Sequence, residues 1–360
     1  MNIIYVQSYP VYHDLIDEQE FAEIANRDKW MPALTSQRGY PSQLWAGGHK
    51  SMKTEWQYDN LPGVPIRIFK TDQSEGKSRN HTSQALIKAA RESEADLFVI
   101  KGMDGGIGVQ LAMEVLIPRR IPFAIVIGGE WYHPIVKHAV AVLYETEYQF
   151  QQLTRRTLRF WRSVVPVQKM IRLPKSVDTR HFSPDRETGK TLDVIAAGRL
   201  ISHYKNYQPL FELSKKKKVG VIGGGPLLPQ FRRKYPEITW FGPVSYSEVP
   251  TYLNMGKLYF HSGYRDHYPR TISEAAACGV PPVAFEDIIH EDVIPETIGL
   301  RVSKKNYVEE ISALLDNPEL LARKSAESRS YAKKNLHHLS ALPAIREMIS
   351  RVRSLRNASG

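Results

Sequence analysis

The stretch Asp266-His267-Tyr268-Pro269-Arg270-Thr271-Ile272-Ser273-Glu274-Ala275-Ala276-Ala277-Cys278-Gly279-Val280-Pro281 decides how this chain folds. It opens as a loop and continues as a helix. Pro269 suits a first helical turn, where its missing N–H and fixed φ cost nothing. Gly279 supplies a left-handed stop, and Pro281 leads into the next strand. The apolar runs Leu258–His261 before it and Pro282–Phe285 after it read as strands. The unit is therefore strand, helix, strand, and its strands are parallel. The helix N-terminus projects from the carboxyl edge of the sheet, where free N–H groups can receive an anionic or hydroxyl oxygen. Thr271 adds a hydroxyl in the same turn. Glu274, in the second turn, is placed to accept hydrogen bonds from a diol. Taken alone, such a glutamate would face solvent or pair with Arg270 four residues earlier.

The same alternation runs outward in both directions. Strand-like runs in the first half are Ile3–Val6, Leu44–Ala46, Ile66–Phe69, Leu97–Ile100, Phe123–Ile127 and Ala139–Leu143, with helical patterns at Ser83–Arg91 and Val109–Leu116. In the second half they are Leu192–Ala197, Val219–Ile222, Ile238–Phe241, Leu258–His261 and Pro282–Phe285, and Val308–Arg353 is almost wholly helical in pattern. Alternation of this kind predicts parallel sheets covered by helices. Between the halves, Leu173-Pro174-Lys175-Ser176-Val177-Asp178 down to Pro184-Asp185 has no period and reads as a linker. A chain of 360 residues favours two domains over one. The expected division is 1–174, a linker 175–186, a second domain 187–335 and a terminal helix 336–360 that packs back on the first domain. Two such halves predict a cleft faced by the strand carboxyl ends.

Composition narrows the class. Hydrophobic residues make up 42% and charged residues 24%, as in ordinary globular proteins. The single cysteine, Cys278, rules out an intrachain disulfide and fits a reducing, cytoplasmic setting. Met1–Val6 reads as a first strand and not as a signal peptide. The longest apolar run, Val115–Gly129, is broken by Arg119 and Arg120 and is too short to span a bilayer. The net charge of +11 suits a phosphorylated ligand, an anionic surface or nucleic acid, or simply a solvated exterior. Lys215–Lys218 belongs to the solvated class, at the negative end of a helix dipole. A dinucleotide site of the Gly-x-Gly-x-x-Gly type is disfavoured. The turn after the first strand, Gln7-Ser8-Tyr9-Pro10, has no glycine, and in Gly223-Gly224-Gly225-Pro226 the third glycine position is Leu228.

A second basic element is Ala197-Gly198-Arg199-Leu200-Ile201-Ser202-His203-Tyr204-Lys205-Asn206, directly after a strand. A loop with one arginine and one lysine can neutralise a diphosphate, the arginine as a bidentate fork and the lysine as a point charge. It can equally be a loop of surface ion pairs.

Together the two elements resemble the GT4 family of retaining glycosyltransferases. Asp266 and Glu274 keep the eight-residue spacing of that family's paired acids, and Ala275, Ala277, Gly279 and Pro281 match the following Ala-x-Ala-x-Gly-x-Pro. Gly198-Arg199-Leu200, with Lys205 six residues after the arginine, matches its diphosphate clamp. Val177-Asp178-Thr179-x-x-Phe182-x-Pro184, Gly224-x-Pro226-Leu227 and Phe241-Gly242-Pro243-Val244 match three further turns. The resemblance covers roughly residues 170–340. Asp266 stands where glutamate is usual and His267 where glycine is usual, both at the end that reads the sugar.

The resemblance implies a GT-B fold: two Rossmann-like, doubly wound parallel-sheet domains facing a central cleft. It implies transfer of a sugar from a nucleotide diphosphate sugar to an acceptor hydroxyl, with retention of configuration. Arg199, Lys205 and Asp266 are the implied catalytic residues. Gly198, Gly224, Pro243, Val244, His267, Thr271 and Glu274 are the implied donor-binding residues, with Glu274 on the ribose. No cofactor and no metal is expected, since Arg199 and Lys205 replace the cation. The first domain would take a small-molecule, glycan or lipid-linked acceptor, with Asp104, Glu130 and His133 as acceptor-side candidates. Arg155-Arg156-x-Leu158-Arg159-Phe160-Trp161-Arg162 is either a packing helix or a peripheral contact with an anionic membrane. No nucleic-acid module is visible. The rival readings are a sugar-nucleotide epimerase of the same architecture and a degenerate protein that only binds nucleotide sugar.

Overall fold

The structure is a computed structural model describing all residues except 15, 104, 129–131, 156–163, 186, 202–204, 265 and 358–360. It divides into two compact units. One comprises 1–145, 149–174 and 341–360, and the other 146–148 and 175–340.

The first unit carries an eight-stranded sheet made of β1 (Ile3–Gln7), β2 (Ser42–Gly48), β3 (Met52–Trp56), β4 (Val64–Lys70), β5 (Leu97–Lys101), β6 (Phe123–Val126), β7 (Ala141–Tyr144) and β8 (Met170–Arg172). The order is β3-β4-β2-β1-β5-β6-β7-β8, parallel except for β3. Side chains alternate across each strand, so β1 sends Ile3 and Tyr5 into one core and Ile4 and Val6 into the other. Both faces are covered, which is why these strands read as continuous apolar runs.

The second unit has six parallel strands: β9 (Leu192–Ala197), β10 (Val219–Ile222), β11 (Thr239–Gly242), β12 (Gly256–His261), β13 (Pro282–Phe285) and β14 (Leu300–Val302). Their order is β11-β10-β9-β12-β13-β14. Counted within the unit this is 3-2-1-4-5-6, the order of dinucleotide-binding folds. Val194, Ile195, Leu258, Tyr259, Phe260 and Val283 form the centre of its core.

Three strands escaped the sequence reading. β3 alternates charged and polar residues, Met52-Lys53-Thr54-Glu55-Trp56, as a solvated edge does. β8 and β14 have three residues each, too few for a periodic signal. The expected linker is also different from a free tether. Val177 and Phe182 are buried in the second unit's core, and Asp178 Oδ1 accepts from the N–H of Arg180 at 3.0 Å.

The C-terminal helix Leu342–Asn357 belongs to the first unit. Ile345, Met348, Ile349 and Val352 recur at helical spacing and enter the core that holds Trp30, Met31 and Leu34. No helix among the described residues is long and apolar enough to cross a membrane. Met348 is fully buried. Met348→Ala is expected to cost about 2–5 kcal/mol of stability in urea denaturation, through lost burial and the cavity it leaves. A loss below about 0.5 kcal/mol, the range of neutral surface changes, would contradict this packing.

Candidate functional site

In a doubly wound sheet, the loops leaving the carboxyl ends of two strands diverge where the strand order reverses, and a crevice opens between them. In the second unit that reversal lies between β9 and β12. The loop after β9 is the one that carries Gly198, Arg199 and Lys205. The loop after β12 carries Asp266, His267 and the start of the helix Arg270–Ala277. Strands that begin at Leu192 and Gly256 thus deliver both basic and acidic elements to one place. The side chains meet there: Lys205 Nζ lies 3.9 Å from Asp266 Oδ2, and both are partly open to solvent.

The loop after β9 is held from below. Leu200 N–H donates to Gly224 O at 2.8 Å, and Leu227 N–H donates to Leu200 O at 3.0 Å. Gly223 and Gly225 have φ of +139° and +146°. A Cβ on Gly223 would sit 2.0 Å from Gly198 O, and one on Gly225 would sit 2.4 Å from Leu200 O. Only glycine permits this backbone-on-backbone contact. A Cβ on Gly224 would lie 3.1 Å from Pro243, so the turn leading to Val244 closes on the same glycines. An added Cβ on Gly198 meets nothing within 4 Å and points into open space. Tyr207 Oη donates to Arg199 O at 2.5 Å and anchors the far end of the loop.

The helix Arg270–Ala277 begins after Pro269, its N-cap, and ends at Gly279 with φ +66°. Thr271 does not keep its hydroxyl for a ligand alone, since its Oγ1 lies 2.5 Å from the buried Tyr259 Oη. Glu274 departs from the solvent-facing alternative: it is 3% exposed. Burial pushes its carboxyl up to about 7, against the pull of Arg270 and Lys175. A buried acid held near neutrality is a marker of functional sites. His267 is fixed from two sides. Its Nδ1 lies 2.8 Å from Ile288 O, and its ring stacks on Tyr148 with centroids 3.9 Å apart.

His261, the last residue of β12, was not singled out from the sequence, where it looks like an ordinary strand end. It is buried, and its Nε2 has no hydrogen-bond partner among the described residues. Burial pushes its pKa down to about 4, so the ring is neutral at pH 7.

The acceptor-side candidates fare differently. Asp104 and Glu130 lie outside the described residues, as does the basic segment from Arg156 to Arg162. His133 caps the short helix Pro134–Lys137, with Nδ1 accepting from Ile135 N–H at 3.3 Å, and burial lowers its pKa. The strand order of the first unit reverses between β1 and β5, and a polar aromatic cluster missed in the sequence sits beside that edge. Tyr12 Oη lies 2.5 Å from His81 Nδ1 and 3.0 Å from Thr71 Oγ1, and its ring stacks on His49 at 4.0 Å. Tyr9 stacks on His13, whose Nδ1 meets Ser78 Oγ at 2.8 Å. The available signal was the run Tyr9-Pro10-Val11-Tyr12-His13 directly after the first strand.

Residues 180–335 match the family model of glycosyl transferases group 1. That stretch contains Arg199, Lys205, Asp266 and Glu274. No curated protein matches the chain. Among solved structures, the chain is similar to sucrose-phosphate synthase from Thermosynechococcus elongatus, with a TM-score of 0.73, 12% identity and 100% of both chains covered. It is similar to HepE of Anabaena in complex with UDP, with a TM-score of 0.67, 12% identity, and 97% of this chain and 100% of that one covered. It is also similar to the pneumococcal O-GlcNAc transferase GtfA in complex with UDP and GlcNAc, with a TM-score of 0.67, 12% identity, and 98% and 99% covered. At such identity the likeness is one of fold. That fold is GT-B, with two parallel-sheet α/β domains.

Glu274 makes stability depend on pH with a definite sign. Its carboxyl titrates near 4.5 when unfolded and near 7 when folded. Between those values the unfolded chain binds fewer protons, so stability falls as pH rises and levels off above 7. Glu274→Gln is therefore expected to be more stable than the parent at pH 8, by on the order of 3 kcal/mol, and equal to it near pH 4. Thermal melts of both proteins at the two pH values check this.

Proposed function

We propose that this protein is a GT4-type glycosyltransferase that moves a sugar from a nucleotide diphosphate sugar to an acceptor hydroxyl with retention of configuration. The observation that carries the reading is the meeting of the β9 and β12 loops at the strand-order reversal. It brings Lys205 to Asp266 above a helix whose buried Glu274 is poised near neutrality. The match of residues 180–335 to group 1 glycosyl transferases supports it. HepE and GtfA, of the same fold, hold UDP in their structures, so UDP-sugars head the panel of donors to test.

In this reading Arg199, Lys205 and the first turn of the helix Arg270–Ala277 receive the diphosphate, with Gly198 leaving room for it. Glu274 accepts from the ribose hydroxyls. Gly224, Pro243 and Val244 shape the end that holds the base. Asp266, His267 and Thr271 lie toward the sugar. As the bond from the anomeric carbon to the phosphate oxygen lengthens, negative charge grows on the departing diphosphate. Fixed cations and N–H groups stabilise that charge more in the transition state than in the bound donor, which lowers the barrier. The acceptor hydroxyl attacks from the leaving-group side, and the departing phosphate takes its proton. The cations on the chain fill the role a divalent metal would otherwise have. The cluster around Tyr12, His49 and His81 offers aromatic faces and hydrogen-bonding groups to an acceptor in the first unit.

Arg199→Ala is expected to lower turnover of the accepted donor by about 10²–10³, with an unchanged melting temperature. Radiolabelled transfer or NMR of the product measures it and reports the anomeric configuration. Near-normal turnover in the variant, or inversion in the product, would overturn the assignment. Chelation with EDTA is expected to leave the wild-type rate unchanged. A rate that falls on chelation and returns with added Mg²⁺ would remove the metal-independent part of the scheme.

A further inference from the structure

On the first unit, at the edge of the sheet where strands begin, a hollow of about 390 Å³ opens between two helices. Its wall on one side is the C-terminal end of the helix Arg27–Gln37, with Arg38 and Tyr40. On the other side is the helix Leu342–Asn357, with Arg346, Ser350, Arg353 and Ser354 over a floor of Ile345 and Ile349. β2 starts at Ser42, just beyond Tyr40, so this is the edge opposite the strand carboxyl ends.

The charge arrangement is unusual. Three guanidinium groups border one hollow, and among the described residues no carboxylate lines it. Among the described residues none of the three takes part in an ion pair or a side-chain hydrogen bond. Elsewhere on the same helix, Arg351 pairs with Glu347 in the ordinary i, i+4 way. Arg346 and Arg353 are two turns apart on the face beside Arg38, so their like charges are gathered and left uncompensated. Convergent arginines without acids match the planar, bidentate recognition of phosphate oxygens. The hydroxyls of Ser350, Ser354 and Tyr40 add donors. Tyr40, half-buried, offers an aromatic face above the buried Ile345 and Ile349. A volume of this size lies within the range of small-molecule sites.

We propose that this hollow is a second anion site that takes an organic phosphate. Arg38, Arg346 and Arg353 hold the phosphate oxygens, and the uncharged part of the ligand lies against the ring of Tyr40. The same chemistry is offered by a soluble phosphate ester and by the headgroup of an anionic phospholipid. The site is independent of the donor-binding reading and shares no residue with it.

The test uses the full-length protein with two probes. Because pyrophosphate also suits the donor loops, its binding is measured by calorimetry in an Arg199→Ala background. The second probe is sedimentation with vesicles of phosphatidylglycerol, with phosphatidylcholine vesicles as the neutral control. Arg346→Ser combined with Arg353→Ser is expected to weaken one or both by tenfold or more, since each lost charge-assisted contact is worth roughly that factor. Both side chains are exposed, so the melting temperature should not change, and donor turnover without added phosphate should stay at the parent level. Loss confined to pyrophosphate identifies a soluble phosphate compound, not a lipid, as the ligand. Loss confined to phosphatidylglycerol vesicles identifies a lipid headgroup. If neither probe binds, or both bind the double variant as tightly as the parent, the proposal is wrong, whatever becomes of Arg199.

Discussion

The donor-side arrangement depends on one constraint of parallel sheets: where strand order reverses, the two loops at the carboxyl edge must part. In the second unit this happens between β9 and β12. The residues proposed for the donor sit on those two loops, on the helix Arg270–Ala277, on the glycine turn that supports them or on the turn after β11. The constraint is geometric and tolerates many loop sequences. It explains how an architecture shared at 12% identity with solved glycosyltransferases can persist while side chains change.

The glycine turn shows how the loop after β9 is kept in place without large side chains. Gly223 and Gly225 let one backbone lie directly on another, at distances that leave no room for a Cβ. A rigid support under Gly198 and Arg199 fixes the position of that loop at the strand carboxyl ends. The buried Glu274 and the neutral, buried His261 belong to the same economy of space. Both are polar groups held away from water beside the crevice, and such groups are costly unless something nearby uses them.

The first unit has a different character. Its sheet has eight strands against six, it takes the C-terminal helix into its core, and its carboxyl edge carries Tyr12, His49 and His81. Residues 341–360 complete this unit although they follow the second one in the chain, so the polypeptide returns to the first unit after leaving it. The segment 175–186, which carries Pro, Ser, Asp and Thr without period, reads in sequence as a linker. Burial of Val177 and Phe182 makes it part of the second unit instead.

The sequence by itself determined the alternation of strands and helices, the position of most strands to within a residue or two, and the spacings Arg199-x₅-Lys205 and Asp266-x₇-Glu274. These are local: buried parallel strands must be apolar on both faces, and a loop motif is a set of residue types at short spacing. Only the tertiary structure decided which strands are neighbours. It alone brought Lys205 to Asp266, buried Glu274, tied Thr271 to Tyr259 and gathered Tyr12, His49, Thr71 and His81 from separate segments. Contacts between residues far apart in the chain follow from strand order and from competition for burial, and neither leaves a period or a motif to be read in one dimension.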